Sequence, residues 1–260
     1  MVADTSKLTL SPTKVDTFLK CQRKFYYNYL NQPFPQIEHS FFIVGNVAHK
    51  ALEVFHGKDF YVKKWRENMA NAFKVAVASQ NALEKVNRGM LTIENLFEVK
   101  KMLKSYLRFL SSGAAVNIYQ LEKLVNINIK NVPVWLKADR VDLLPEGGYA
   151  VVDYKTSKTP ASKKEEQESV QIPSYGIWVR QKIAKTAKIQ GTYYYLRYMD
   201  SKKGVHNHPV TDEWMEKAAD QYVQVYSHVQ NGCKYTKTTS KQTCRWCDYR
   251  LPCSSNFGFN

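Results

Sequence analysis

The chain has 260 residues, 44% of them hydrophobic, enough to bury one full core, and its 38 Lys and Arg against 23 Asp and Glu leave a formal charge of +15. No apolar run approaches the ~18 residues of a membrane span, and the N-terminal MVADTSKLTL lacks the apolar stretch of a signal peptide; a cytoplasmic protein with a polyanionic partner is expected. Five cysteines, three of them in the last seventeen residues, make a poor disulfide framework for such a chain and point to metal or cluster ligation.

Leu10-Ser11-Pro12 opens a helix, with Ser as N-cap and Pro in the first turn. It is predicted to run to about Leu30, carrying Cys21 in its middle and an aromatic patch of Phe25, Tyr26, Tyr27 and Tyr29, until Asn31, Gln32, Pro33 and Pro35 end it. Phe41 to Phe55 reads as a second helix with Val47, Leu52 and Phe55 on its buried stripe. His49 and Glu53 share a face of it, and Gly45, one turn before His49, leaves room for a neighbouring backbone. A lone helical histidine is more often a packed residue than a ligand.

Gly57 to Ser112 is a helical zone of two or three helices, broken near Asn87-Arg88-Gly89. Its Lys63, Lys64, Lys100, Lys101 and Lys104 fit either a solvated face or the wall of a nucleic-acid channel. Asn117 to Asn131 alternates and reads as a strand. Val132 to Lys158 follows as a hairpin around Pro145-Glu146-Gly147-Gly148, completing a three-stranded meander.

That turn places Asp139 opposite Asp153, or one residue away, with Cβ atoms about 5 Å apart, an arrangement that repels unless a cation bridges it. Lys155 shares a strand face with Tyr149, Val151 and Asp153. Hard-cation ligands beside an ammonium are the equipment of phosphodiester hydrolysis. Further on, Lys163 to Ile183 is a helix with Gln171 and Tyr175 one turn apart, and Pro173 implies a start near Gln171 or a kink. Ile189 to Tyr198 is a strand that Val205 to Val210 can pair with. Thr211-Asp212-Glu213 caps a last long helix to about Gln230, with Trp214, Ala218, Tyr222 and Val225 inward. The tail from Cys233 has little regular pattern and depends on what its cysteines bind.

In this order the motifs resemble the PD-(D/E)XK nucleases, and within them the RecB-like branch with an iron-sulfur cluster, which includes the nuclease domain of AddB and the CRISPR-associated RecB-like nucleases. Gly45 to His49 matches that family's G-x-x-x-H helix; Ala138-Asp139-Arg140-Val141-Asp142 matches I-D-R-[IV]-D; Asp153-Tyr154-Lys155-Thr156 matches D-Y-K-T; Gln171 and Tyr175 match Q-x-x-x-Y. The resemblance implies an α/β (α+β) fold: one restriction-endonuclease-like domain over 1–260, a mixed β-sheet flanked by helices. It also implies a helical insertion at 57–112 and a region 231–260 joined to Cys21. It implies Mg2+ or Mn2+ held by His49, Asp139, Asp153 and the Tyr154 carbonyl, with Lys155 guiding the attacking water and Gln171 and Tyr175 supporting that lysine.

Cys21, Cys244, Cys247 and Cys253 reproduce the family's 4Fe-4S pattern, leaving Cys233 free. Four thiolates also suit zinc, but the N-terminal partner and the C-x5-C spacing favour iron. Gln22 stands where the family often has proline and Leu136 where it often has glycine. The activity implied is hydrolysis of DNA, as an exonuclease on single-stranded ends, in settings such as repair or recombination. Arg23, Lys24, Arg140, Lys158, Arg245 and Arg250 are the expected phosphate contacts, with Tyr26 or Trp246 stacking on unpaired bases. The alternative is a non-catalytic DNA-binding or adaptor protein with a nuclease-like fold.

Overall fold

The computed structural model describes residues 8–31, 38–57, 64–114, 116–245 and 247–254. Alternating segments supply the strands: β1 (Ile118–Leu121), β2 (Leu124–Ile129), β3 (Val132–Lys137), β4 (Arg140–Leu143), β5 (Tyr149–Lys155), β6 (Ile189–Tyr195) and β7 (Val205–Pro209). They form a five-stranded sheet in the order β1-β4-β5-β6-β7 and a two-stranded sheet β2-β3. The β5–β6 pair is parallel and the other pairs are antiparallel, so the larger sheet is mixed. As its centre, β5 is buried on both faces, and Ala150-Val151-Val152 is the continuous apolar run this requires.

The turn between β4 and β5 is closed by Leu144 N–H donating to the Gly148 carbonyl. Gly147 and Gly148 have φ of 87° and 99°. A Cβ on Gly148 would lie 2.4 Å from the Lys188 carbonyl oxygen, so glycine is required there.

Neither long alternating run is one strand. The expected meander is replaced by two strand changes at one level. The first run breaks at Glu122, whose φ is +41°, and the second at Ala138-Asp139. At each break the chain leaves one sheet for the other, and Glu122 N–H donates to the Asp139 carbonyl at 3.2 Å across the gap. Beyond the break, β4 pairs with β5 in the register Arg140↔Val152. Asp139 stands one residue beyond the last pair of that register, in the bend between β3 and β4.

Helices cover both faces. On one side α1 (Pro12–Lys20), α8 (Gln171–Lys182) and α9 (Asp212–Gln230) pack with the small sheet around Phe18, Val151, Tyr175, Trp178, Tyr193 and Tyr222. On the other side α3 (Ser40–His56), α4 (Trp65–Ser79), α5 (Ala82–Asn87) and α6 (Ile93–Ser111) share a core with Val152 and Tyr154. The period of two along β5 sends Val151 into the first core and its neighbour Val152 into the second. The helices after Gly57, expected as an insertion, therefore form a layer: Val99, Met102 and Tyr106 of α6 are buried against α3 and the sheet.

The first helix does not run unbroken to Leu30. Cys21 is extended (φ −165°, ψ 108°), and the chain resumes as α2 (Gln22–Phe25) and a π-helical turn, Tyr26–Leu30. The interruption lets the C-terminal segment dock: Arg23 N–H donates to the Thr236 carbonyl at 3.0 Å, and Gln22 Oε1 accepts from Thr236 N–H at 3.0 Å. Three short helices complete the chain, α7 (Lys163–Glu168), α10 (Lys241–Arg245) and α11 (Arg250–Ser254). Among the described residues, no helix is long and apolar enough to cross a membrane.

Candidate metal centre and active-site cleft

The place where both strands change sheet is also where acidic groups gather. His49 on α3, Glu122 at the first break and Asp139 at the second present ligand atoms that all lie within 4.8 Å of one another. His49 Nδ1 is 3.1 Å from Asp139 Oδ1, and Asp139 Oδ2 accepts the Tyr154 N–H at 2.8 Å. A strand residue turns its N–H and C=O to the same edge, so the Tyr154 carbonyl also points towards this site.

Burial opposes the charge on both partners, and their mutual attraction outweighs it. With the Asp139 carboxylate in front and Asp153 and Glu122 behind, His49 is pushed up to about 9, although burial alone would lower it. Asp139 falls below the ordinary carboxylate value in spite of burial, held ionised by His49, the Tyr154 N–H and Lys155. Glu122 goes the other way, raised by burial and by Asp139, with Lys137 and His49 opposing.

Asp153 sits on the other face of β5, and nearly all of it is buried. Its Oδ2 is 2.6 Å from Lys155 Nζ, but no aligned donor satisfies that oxygen. Burial and the Asp139 charge raise its pKa against the pull of Lys155. Lys155 itself is raised: burial would lower it, and Asp153, Asp139 and Asp16 override that. Lys155 Nζ also donates to Gln171 Oε1 at 3.1 Å. Gln171 Nε2 donates to Tyr175 Oη at 3.0 Å, and Tyr175 Oη donates to the Lys137 carbonyl at 2.8 Å. The phenol thus fixes which end of the amide faces the lysine, and the last carbonyl in the relay belongs to the strand that ends at the metal site.

Of the residues singled out by sequence, His49 and Asp139 come together directly, while Asp153, Lys155, Gln171 and Tyr175 form an adjoining relay. Asp153 is not in the tight ligand group, and Glu122, which sequence reasoning missed, is. Gly45 faces Thr156, where an added Cβ would stand at an ordinary 3.4 Å from Oγ1, so no close backbone approach demands a glycine. Imidazole with carboxylates suits Mn2+ as well as Mg2+. The spacing of the three ligand atoms fits a divalent ion.

The expected phosphate contacts divide. Arg140 is fully buried, donating to Tyr106 Oη at 2.7 Å and Tyr154 Oη at 2.8 Å, its guanidinium over the Tyr194 ring and paired with Asp142. It cannot reach DNA and is instead a cation caged by tyrosines inside the α3–α6 core. Arg23 is also buried. Lys158 lines the open cleft, about 1210 Å3 in volume, that holds His49, Glu122, Asp139 and Lys155. Lys24 and Arg250 border the cysteines, Arg245 is exposed on α10, and Trp246 lies outside the described residues. Tyr26 packs on Tyr235, ring centroids 5.0 Å apart.

Cys21, Cys244, Cys247 and Cys253 line one cavity of about 210 Å3. They do not form a tight cage: among the described residues, no three sulfurs lie within 4.8 Å of one another. One tetrahedral zinc ion, with Zn–S near 2.3 Å, would need thiolates about 3.8 Å apart. Cys233 is exposed and free.

A family described as the PD-(D/E)XK nuclease superfamily matches residues 9–254. No curated protein matches the chain. A crystal structure from Eubacterium rectale named "Putative exonuclease" superposes with a TM-score of 0.53 at 15% identity, covering 93% of this chain and 86% of that one. The structure named SSO0001 aligns over 94% of this chain and 93% of its own at 13% identity, with a TM-score of 0.32.

Proposed function

The chain belongs to the PD-(D/E)XK nuclease superfamily, and from that premise we propose that it is a RecB-like exonuclease that hydrolyses single-stranded DNA from its ends. The observation that carries this reading is the meeting of His49, Glu122 and Asp139 with the Lys155 relay in one open cleft. His49, Asp139 and Glu122 would hold a divalent cation, with Asp153 and the Tyr154 carbonyl adjoining, and such an ion would supply Lewis acidity at the scissile phosphate.

The chain's own groups define the remaining chemistry. Lys155 is held protonated by its carboxylate neighbours, so it does not act as a base. Its ammonium instead orients water through its donors and offsets the negative charge that builds on the phosphate. Gln171 and Tyr175 keep that ammonium in place, since Lys155 gives one donor to an amide oxygen whose orientation the phenol fixes. The Tyr154 N–H keeps Asp139 aimed into the cleft. Lys158 is at hand for a neighbouring phosphate, so binding weakens as salt rises.

The four cysteines are read as ligands of a 4Fe-4S cluster that ties the start of the chain to its end. The lining of one cavity by all four of them is what supports the reading. Iron content and a visible absorbance lost on oxidation test it. The activity is tested with end-labelled oligonucleotides beside a covalently closed single-stranded circle in Mg2+ or Mn2+. Oligonucleotide degradation with an intact circle supports the reading; rapid cutting of the circle shows an endonuclease; no cutting leaves a DNA-binding protein.

A further inference from the structure

At the mouth of the same cleft, in the first turn of α3, Phe41 and Phe42 are 60% and 55% exposed, their ring centroids 4.4 Å apart. Adjacent large aromatic rings left in water mark a surface that something covers. The pair is also held in place. His39 stacks on Phe41 at 5.1 Å with an interplanar angle of 11°, and the His39 ring pairs through Nε2 with Asp248 Oδ1 at 2.7 Å. Asp248 lies between Cys247 and Tyr249, so the cysteine segment braces the platform from behind.

Position says what the platform takes. Phe42 precedes His49 by seven residues, which puts both on one helix face two turns apart, roughly 10 Å along the axis. Between them the cleft is lined by Val44, Gly45 and Asn46. Lys155 and Lys158 stand in the same cleft. Lys50, Lys137 and Arg197 are there too, each engaged with a carboxylate, whereas Lys158 has no ion pair among the described residues. The two rings are tilted 43° to each other, so each offers its own face, and an aromatic face next to a cationic surface is what a strand with exposed bases and a charged backbone requires. Duplex DNA hides those faces.

We propose that Phe41 and Phe42 form a base-stacking platform that grips an unpaired base about one to two nucleotides from the scissile phosphate, and so select single strands. This rests on the nuclease reading for the position of that phosphate, but the binding itself can be measured apart from it.

The test is binding of a labelled oligothymidylate to the full chain in Ca2+, read by fluorescence anisotropy. Phe42→Ala weakens it about tenfold, Phe42→Trp retains it, and Phe42→Leu, which keeps the apolar bulk but no π-face, does not. An abasic nucleotide walked along the oligomer reproduces the loss at one position and adds nothing there to Phe42→Ala. Wild-type affinity in either Phe42→Ala or Phe42→Leu overturns the platform. So does an equal loss on blunt duplex, or a fall from dimer to monomer in Phe42→Ala, which would make the rings a contact between copies. A wild-type protein that binds in this pattern but cuts nothing in Mg2+ or Mn2+ refutes the nuclease reading alone; one that cuts while Phe42→Ala binds normally refutes the platform alone.

Discussion

The two candidate ligand sites of this molecule solve the same problem in opposite ways. At the cleft, His49 carries a positive charge between three carboxylates, standing in for the ion and keeping Asp139 and Glu122 together. At the cysteine cavity Arg23, Lys24, Lys237 and Arg250 are in the lining, yet burial still holds Cys247 further from ionisation against the pull of Lys24, and the sulfurs stand apart. The first site gathers its ligand atoms through the fold, whereas the second does not gather its sulfurs.

The sharpest way to break this contrast is at the first site. Asp153→Ala is expected to lower cleavage roughly a thousandfold or more while DNA binding persists, because it removes charge needed only for chemistry. Near-normal turnover by that variant would contradict the site assignment. At the second site, Cys247→Ser is expected to lower the thermal midpoint by several degrees and expose residues 231–254 to protease, on the scale of losing a structural ligand. The sheet should keep its circular dichroism. If the serine variant melts like the wild type, the cavity needs no occupant.

Tyr175→Phe sharpens the comparison by testing how far preorganisation extends. It deletes the donor to the Lys137 carbonyl and the acceptor for Gln171 Nε2, about 1 to 2 kcal/mol of hydrogen bonding, and should cut turnover about tenfold with little change in binding. An equal loss in binding would show a packing role instead.

The smallest effect is in pH. His49 titrates at about 9 in the folded chain against an ordinary 6.5, so its proton stabilises the metal-free protein fully below about 6.5. That contribution is lost as pH rises through about 9. Mn2+ competes for the same nitrogen, so its affinity should climb over this window. Melting curves with and without Mn2+ at pH 6, 7.5 and 9, values spanning roughly that window, should therefore diverge, and parallel curves would show that His49 is not a ligand.

Much of this was legible in the sequence because local rules decide it. The glycine turn fixed the antiparallel register of β4 on β5, Pro173 marked a helix start at Gln171, and Thr211 capped the last helix as expected. What stayed hidden depends on distant partners. Glu122 lies inside an alternating run with no turn residue to announce the break, and its partners there, the Asp139 carbonyl and Lys137, come from the far side of the gap. Arg140, a charged strand residue, reads as exposed until Tyr106 from α6 and Tyr194 from β6 close around it. The gap after α1 is likewise set by the segment around Thr236.

The His39–Asp248 pair spans 209 positions of sequence. A ribosome releases His39, Asp139 and Lys155 well before Asp248, and chains begin folding from their leading end. Asp139 and Lys155 thus leave the ribosome while His39, stacked on Phe41 in the finished fold, still lacks its partner.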